Sequence, residues 1–268
     1  MYSSPRFDEY NSSLPETGFF ANHPTGEART TEDEMRMESV RIALENAREV
    51  SGAAGIPEDW KPGGPAAVFA HGMANDMNHP LMVAVAEAMT EAGYLTLRFN
   101  FLYRELGKQS ADPEPRLMLA WERAIDFLRE RSDGAPGRVA AVGKSLGGRI
   151  ASQMAAEGTL SADALIFLGY PLHAPGKTDR LRSEHLGRIR MPMLFFAGTR
   201  DPFAEIALLR RTVEGLPRAV LETIPDGDHS LDMPKASATD PESVYRGVAA
   251  FALDWLRRLE IGAASARP

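Results

Sequence analysis

The chain reads as an α/β protein, a mostly parallel central sheet with helices on both faces. Three observations carry that reading. After Pro62-Gly63-Gly64-Pro65, short apolar runs alternate with helical patterns to the end of the sequence. The apolar runs are apolar at nearly every position, as strands covered on both faces must be. A single composition regime then runs through most of the 268 residues, enough chain for one large core.

The elements follow in order. Residues 1–33 are rich in Ser, Pro, Asn, Thr and acidic residues and show no helical or strand period. They read as a poorly ordered N-terminal arm, with Phe19-Phe20 able to pin it to the domain. From Met37, Val40, Ile42 and Leu44 alternate with polar residues, the period of a half-buried strand. Glu45-Asn46-Ala47 makes a turn and Arg48 to Ile56 returns, giving an N-terminal antiparallel hairpin. The competing pattern, one amphipathic helix from Thr31 to Val50, is the weaker match. Strands are then expected at Ala66–Ala70, Tyr94–Phe99, Arg138–Gly143, Ala164–Leu168, Met193–Ala197 and Ala219–Ile224. Helices are expected at Pro80–Ala92, Pro115–Arg131, Leu146–Ala156, Phe203–Val213 and Pro241–Leu259. The last is signalled best: Asp240 caps it, Pro241 suits its first turn, and Val244, Val248, Phe251, Trp255 and Leu259 recur at helical spacing. One domain over 34–261 and a C-terminal tail over 262–268 complete the organisation.

Composition narrows the function. With no cysteine, disulfides, thiolate metal sites and a cysteine nucleophile are excluded, and a reducing compartment is suited. A net charge of −7 speaks against a nucleic-acid partner. No apolar run spans a bilayer, and the first residues lack the basic-then-apolar layout of a signal peptide. The expectation is a cytoplasmic protein without a membrane partner.

Open α/β sheets hold ligands beyond the carboxyl ends of their strands. Residues in those positions are His71-Gly72-Met73, Asn100-Phe101, Ser145, Tyr170-Pro171, Asp201 and His229. Ser145 lies in Gly143-Lys144-Ser145-Leu146-Gly147, between a strand and a helix, the G-x-S-x-G elbow that lifts a serine out of the backbone ladder. A serine hydroxyl needs a base to become a nucleophile. His229 supplies one, and Asp201 would fix its tautomer and stabilise its charged form. The chain order Ser…Asp…His is that of an α/β-hydrolase. A developing oxyanion needs aimed N–H donors, expected from the amides of Leu146 and Met73.

Several of these residues carry competing readings. A phosphate-binding P-loop ending in Gly143-Lys144-Ser145 needs glycine at position 138, which is Arg138. Asp201, ahead of Pro202, is also a good turn residue, and His229 also reads as a surface-loop histidine. Asp228 competes as the acid, but a sequence neighbour rarely faces the same ring. His71, Asp76 and His79 match no zinc spacing, so neither metal nor cofactor is called for. Lys144 either shapes the elbow or points to solvent.

The motifs His71-Gly72, Leu97-Arg98-Phe99-Asn100-Phe101, Gly143 to Arg149, Gly169-Tyr170-Pro171-Leu172, Gly198 to Pro202 and Gly227-Asp228-His229-Ser230 together resemble a family of small α/β-hydrolases. Its bacterial members are labelled predicted or dienelactone-hydrolase-like hydrolases. Its animal relatives include a testis-expressed protein and a subunit of the non-specific-lethal complex. The resemblance covers about Met37 to Leu259. It implies an α/β-hydrolase fold with Ser145, Asp201 and His229 as the triad, although dienelactone hydrolases proper use a cysteine that this chain lacks. Many such folds carry a cap after the sixth strand; Tyr170 to Leu186 is too short for one. The site is therefore expected to be open and lined by His71, Tyr103, Tyr170, Leu172 and His173, with His71 read as a brace of the oxyanion loop rather than a reacting group. Lys177, Arg180 and Arg182 there either favour an anionic group or form a solvated charged loop. The function expected is acyl transfer from a small-molecule ester or thioester. The alternative is a non-catalytic scaffold or binding protein, with a protein partner held through the arm.

Overall fold

The computed structural model describes residues 35–265, with side chains to Leu259. The expected arm over 1–33 lies outside the described residues. Eight strands form one sheet in the order β1-β2-β4-β3-β5-β6-β7-β8. They are β1 (Arg36–Ala43), β2 (Glu49–Ile56), β3 (Pro65–Ala70), β4 (Leu95–Phe99), β5 (Arg138–Lys144), β6 (Ala164–Leu168), β7 (Met193–Gly198) and β8 (Ala219–Ile224). From β4 through β8 in the sheet order every pairing is parallel, while β1–β2 and β2–β4 are antiparallel. The expected hairpin is therefore present and docks on the edge of β4. Its turn holds Asn46 and Ala47 at φ 55° and 54°. Asn tolerates that left-handed region, and Ala47 occupies it at some steric cost.

The helices are α1 (Pro80–Glu91), α2 (Leu102–Glu105), α3 (Glu114–Arg129), α4 (Leu146–Glu157), α5 (Ile206–Glu214) and α6 (Pro241–Ser265). Successive strand residues point to opposite faces, so each strand feeds two cores. Phe69, Val142, Ile166 and Phe196 meet Met82 and Val85 of α1 and Val244 and Val248 of α6. Val68, Ala141, Phe167 and Phe195 meet Trp121 and Ile125 of α3, Ile150 and Met154 of α4, and Leu209 of α5. Each large side chain buried this way contributes about 1.5–3 kcal/mol against leaving it in water.

Two elements were not read from the sequence, the single turn α2 and a 3₁₀ turn at Leu186–Arg188. Both are too short to carry a period. The last helix, expected to end at Leu259, continues to Ser265, because Ala263-Ala264 favour helix and no proline intervenes before it. Among the described residues no helix is long and apolar enough to cross a membrane.

The sheet order reverses at β3, which sends the chain to β4 on one side and β5 on the other. A crevice opens at such a switch point, beyond the strand carboxyl ends. Two features hold its walls. The first is the crossing of α4 over the sheet. A Cβ on Gly143 would collide with the backbone of Gly148, and one on Gly147 with the carbonyl of Ala70. The second is a set of polar braces under the loop that follows β3. His71 is fully buried; its Nδ1–H donates to the Gly72 carbonyl at 2.7 Å and its Nε2 accepts the Phe101 N–H at 3.0 Å. The Tyr103 hydroxyl lies 2.9 Å from the Met73 carbonyl and 3.3 Å from that of Gly72. Farther along, Asn100 accepts the Met77 N–H and Arg98 donates to the Met77 carbonyl, each at 2.8 Å.

Two outcomes are expected from this packing. Gly147→Ala places a methyl against backbone that cannot give way, so urea unfolding should show a loss of roughly 1–3 kcal/mol. Desolvation drives the pKa of His71 down to about 4, against about 6.5 for a free imidazole. Between those values the unfolded chain binds the extra proton, so stability falls as pH drops from about 6.5 to 4, by up to about 1.4 kcal/mol per pH unit from this group. His79, also lowered to about 4 by burial, contributes in the same direction. Urea midpoints across that range should therefore fall less steeply in His71→Gln than in the wild type; equal slopes would show that His71 carries no linkage.

Candidate active site

Ser145 stands between β5 and α4 with φ 49° and ψ −110°. A non-glycine residue held there costs about 1–3 kcal/mol and persists only where its surroundings over-determine it. The surroundings do so here. The Ser145 N–H donates to the Leu168 carbonyl at 3.3 Å, and the Ser145 carbonyl accepts the Arg149 N–H at 3.0 Å. The glycine-lined crossing described above leaves the start of α4 against β3 and β5, and Trp121 donates to the Gly147 carbonyl at 3.1 Å.

His229 and Asp201 reach Ser145 from the loops after β8 and β7. The parallel register pairs Gly198 with Ile224, so both loops leave the same end of the sheet. Four hydrogen bonds then stitch them together. The Thr199 N–H donates to the Ile224 carbonyl and the Arg200 N–H to the Gly227 carbonyl. The Asp226 N–H donates to Thr199 Oγ1, and Arg200 Nε to the Asp226 carbonyl.

The result is a continuous hydrogen-bonded line. His229 Nε2 lies 2.8 Å from Ser145 Oγ, and His229 Nδ1 lies 2.7 Å from Asp201 Oδ2. The Asp201 side chain is fully buried and its other oxygen accepts the Phe203 N–H at 2.7 Å. A carboxylate only accepts, so the His229 proton sits on Nδ1 and Nε2 is left to accept from the serine hydroxyl. The Phe203 ring lies against the imidazole, centroids 4.4 Å apart. Asp228, the competing acid, is committed elsewhere: its Oδ1 accepts the N–H groups of Ser230 and Asp232 at 2.7 and 3.1 Å.

The two amides expected to hold an oxyanion are that of Met73, which follows Gly72, and that of Leu146, which follows the serine. Gly72 packs on it, since a Cβ there would sit 3.3 Å from Ser145 Cβ. The Gly72 carbonyl faces His71 and Tyr103, and in a trans peptide the Met73 N–H points the opposite way, away from those braces. Leu146 opens α4, where the first amides have no partner within the helix.

The expected lining residues need correction. His71, Tyr103, Tyr170, Leu172 and His173 are all buried, none more than 2% exposed. None of them lines an open surface, and polar partners turn the rings of His71, Tyr103, Tyr170 and His173 inward. His71 and Tyr103 hold the loop after β3. The Tyr170 hydroxyl donates to the Arg182 carbonyl at 2.7 Å, and its ring packs on Phe167 and Phe195. His173 braces the acid loop: its N–H donates to the Phe203 carbonyl and its Nε2 accepts the Glu205 N–H, each at 2.9 Å. Leu172 is wholly in the core. Phe203 and Ser230 were the neighbours that sequence reasoning did not place. Lys144 is buried rather than solvent-facing, its Nζ 3.1 Å from Ser230 Oγ. Among the described residues no group of three His, Asp or Glu side chains is placed to hold a metal ion.

Comparison with known proteins agrees with this architecture. Residues 64–257 match the model of a family described as an alpha/beta hydrolase domain. The solved dienelactone hydrolase from Anabaena variabilis superposes with a TM-score of 0.66 at 22% identity, over 84% of this chain and 98% of that one. Est1E from Butyrivibrio proteoclasticus gives 0.63 at 16% identity, over 82% and 99%. An α/β serine hydrolase without lid from Xanthomonas campestris gives 0.60 at 19%, over 81% and 95%. At these identities the likeness is one of fold. In sequence, a Mycobacterium tuberculosis protein provisionally named a phosphoribosyl transferase is 30% identical over 225 residues, 82% of this chain and 46% of that protein. The chain thus spans about half the length of the curated relatives it matches. With the match to the family model covering most of its length, the chain belongs to the alpha/beta hydrolase domain family.

Proposed function

We propose that the protein is a serine hydrolase that transfers the acyl group of a small-molecule ester or thioester to water. The observation that carries this reading is His229 within hydrogen-bond reach of both Ser145 and Asp201. Ser145 Oγ attacks the carbonyl carbon while Nε2 of His229 takes its proton, and the carbonyl electron pair moves onto oxygen. The Met73 and Leu146 amides receive that oxyanion, each donor worth on the order of 3–4 kcal/mol of barrier. Collapse of the intermediate restores the carbonyl and expels the alkoxide or thiolate, which takes the proton from His229. Water then attacks the acyl-serine, His229 again holding the proton in transit, and Ser145 leaves regenerated. Asp201 stays ionised and stabilises the imidazolium throughout.

The solved relatives support this choice of chemistry by their names, which are those of a dienelactone hydrolase and a serine hydrolase without a lid. The stretch after β6 adds no cap of its own: between Leu168 and Met193 its regular structure is the 3₁₀ turn alone. The triad serine is partly exposed, which leaves the reacting oxygen open to small acyl compounds. The finer resemblance, to the family of the testis-expressed protein, rests on the motif set and suggests no substrate.

A fluorophosphonate probe should label the wild type at Ser145, and a panel of acyl esters and thioesters should reveal turnover. Ser145→Ala should abolish labelling and reduce turnover by roughly 10³-fold or more; labelling that survives the substitution would reject the assignment. Asp201→Asn keeps the shape but offers His229 a donor or a weak acceptor. Its kcat should fall on the order of 10³- to 10⁴-fold with little change in unfolding midpoint. Activity near wild type would make Asp201 a turn residue.

A further inference from the structure

The residue before Ser145 and the residue after His229 are bonded to each other. Lys144 ends β5 and is only 2% exposed, and its Nζ donates to Ser230 Oγ at 3.1 Å. An ammonium is costly to bury, by several kcal/mol even after local relaxation. Its direct acceptor is a neutral hydroxyl. The carboxylates of Asp232, Asp228 and Asp201 act on it through space, while burial pulls its pKa down. A methionine of similar length would fill the volume without that cost. The fold does not need a cation at this point, so its presence asks for a role.

The loop that carries His229 is under tension and closely tied. Asp226 and Leu231 hold φ at 58° and 64°. Asp228 caps the Ser230 and Asp232 amides from within, and the Tyr245 hydroxyl of α6 donates to Asp232 Oδ1 at 2.6 Å. His79 faces the same cluster from the start of α1, and its Nδ1 is buried without a partner. These ties fix the loop to itself and to α6. Lys144 is the side chain that ties it to the elbow. Together with the Ser145–His229 hydrogen bond it closes a small ring: Lys144 to Ser145 through the backbone, across to His229, on to Ser230, and back. One hydrogen bond between two loops is a hinge, whereas two flanking bonds resist rotation about either.

We propose that Lys144 is a positioning residue, whose bond to Ser230 sets the reach between His229 Nε2 and Ser145 Oγ. The proposal rests on the reading of Ser145 as nucleophile. Lys144 is too deeply buried to touch substrate, so it acts through geometry.

Two variants test it. Ser230→Ala removes only a hydroxyl from a partly exposed loop and should leave folding intact; Lys144→Met removes the donor. Fluorophosphonate labelling over a concentration series separates the saturating inactivation rate from the half-saturating concentration. The saturating rate should fall about 10- to 100-fold in either variant, as a displacement near 1 Å allows. The half-saturating concentration should move less than about two-fold. The double variant should be no slower than the slower single one, because both remove the same link. In a crystal structure of Ser230→Ala, His229 Nε2 and Ser145 Oγ should separate beyond about 3.2 Å. Wild-type labelling rates in both variants, a change carried by half-saturation, or an unchanged distance would each overturn the proposal. A wild type that takes no label sinks the hydrolase reading instead, and the distance in Ser230→Ala still decides the role of Lys144.

Discussion

The close crossing of α4 over β3 and β5 is the constraint on which the site depends. Ser145 is held at a backbone conformation that no ordinary side chain prefers. That conformation survives because the chain on either side has nowhere else to go. Gly143, Gly147 and Gly148 present no side chain at the crossing, so backbone packs directly on backbone. Three consequences share this origin. Ser145 leaves the sheet with its hydroxyl turned to His229, the opening amides of α4 lie beside it, and both stand at the switch point where the sheet leaves room for a ligand.

Apolar packing alone would not complete such a site. A hydrophobic contact sets proximity, but it does not set the angle of an imidazole. Direction comes from hydrogen bonds, which weaken steeply when misaligned. The loops around Ser145 are accordingly aimed by polar groups. His71 and Tyr103 turn the Gly72 and Met73 carbonyls inward, His173 fixes the backbone at Phe203 and Glu205, and Thr199 and Arg200 bind the acid loop to the histidine loop. His71, Tyr103 and His173 are buried, where an unmade hydrogen bond costs about 1–3 kcal/mol, while Thr199 and Arg200 act at the exposed ends of the two loops. That penalty for misalignment is what makes the loops stiff.

The sheet and its helices were legible because their signals are local. A strand covered on both faces reads as an apolar run, and Ala164–Leu168 and Ala219–Ile224 came out at the boundaries observed. The hairpin was legible from the alternation at Val40, Ile42 and Leu44, with Asn46 marking its turn. Ser145, Asp201 and His229 drew notice by position, each within a few residues of a strand's carboxyl end. The side-chain directions around them were not. Tyr170 and His173 follow β6 as a lining residue should, yet Tyr170 is drawn into the core by Phe167 and Phe195 and His173 by amides thirty residues away in sequence. Lys144 was read as solvent-facing or structural, since its acceptor lies 86 residues on. Partners that distant leave no period or spacing to detect.

Three histidines near the crevice differ in what faces their ring nitrogens. His71, His173 and His229 all present Nδ1 to an oxygen and Nε2 to a donor. For His71 and His173 the donor is a backbone amide, which does not surrender its proton, and the oxygen is a carbonyl of the next residue. His71 stays neutral down to about 4 because burial in a dry interior penalises its charged form. For His229 the donor is a hydroxyl, whose proton can move, and the oxygen belongs to a buried carboxylate, which welcomes the resulting charge. One hydrogen-bonding pattern therefore serves different ends. Of the three, only His229 stands between a proton that can move and a carboxylate that can balance the charge it leaves behind.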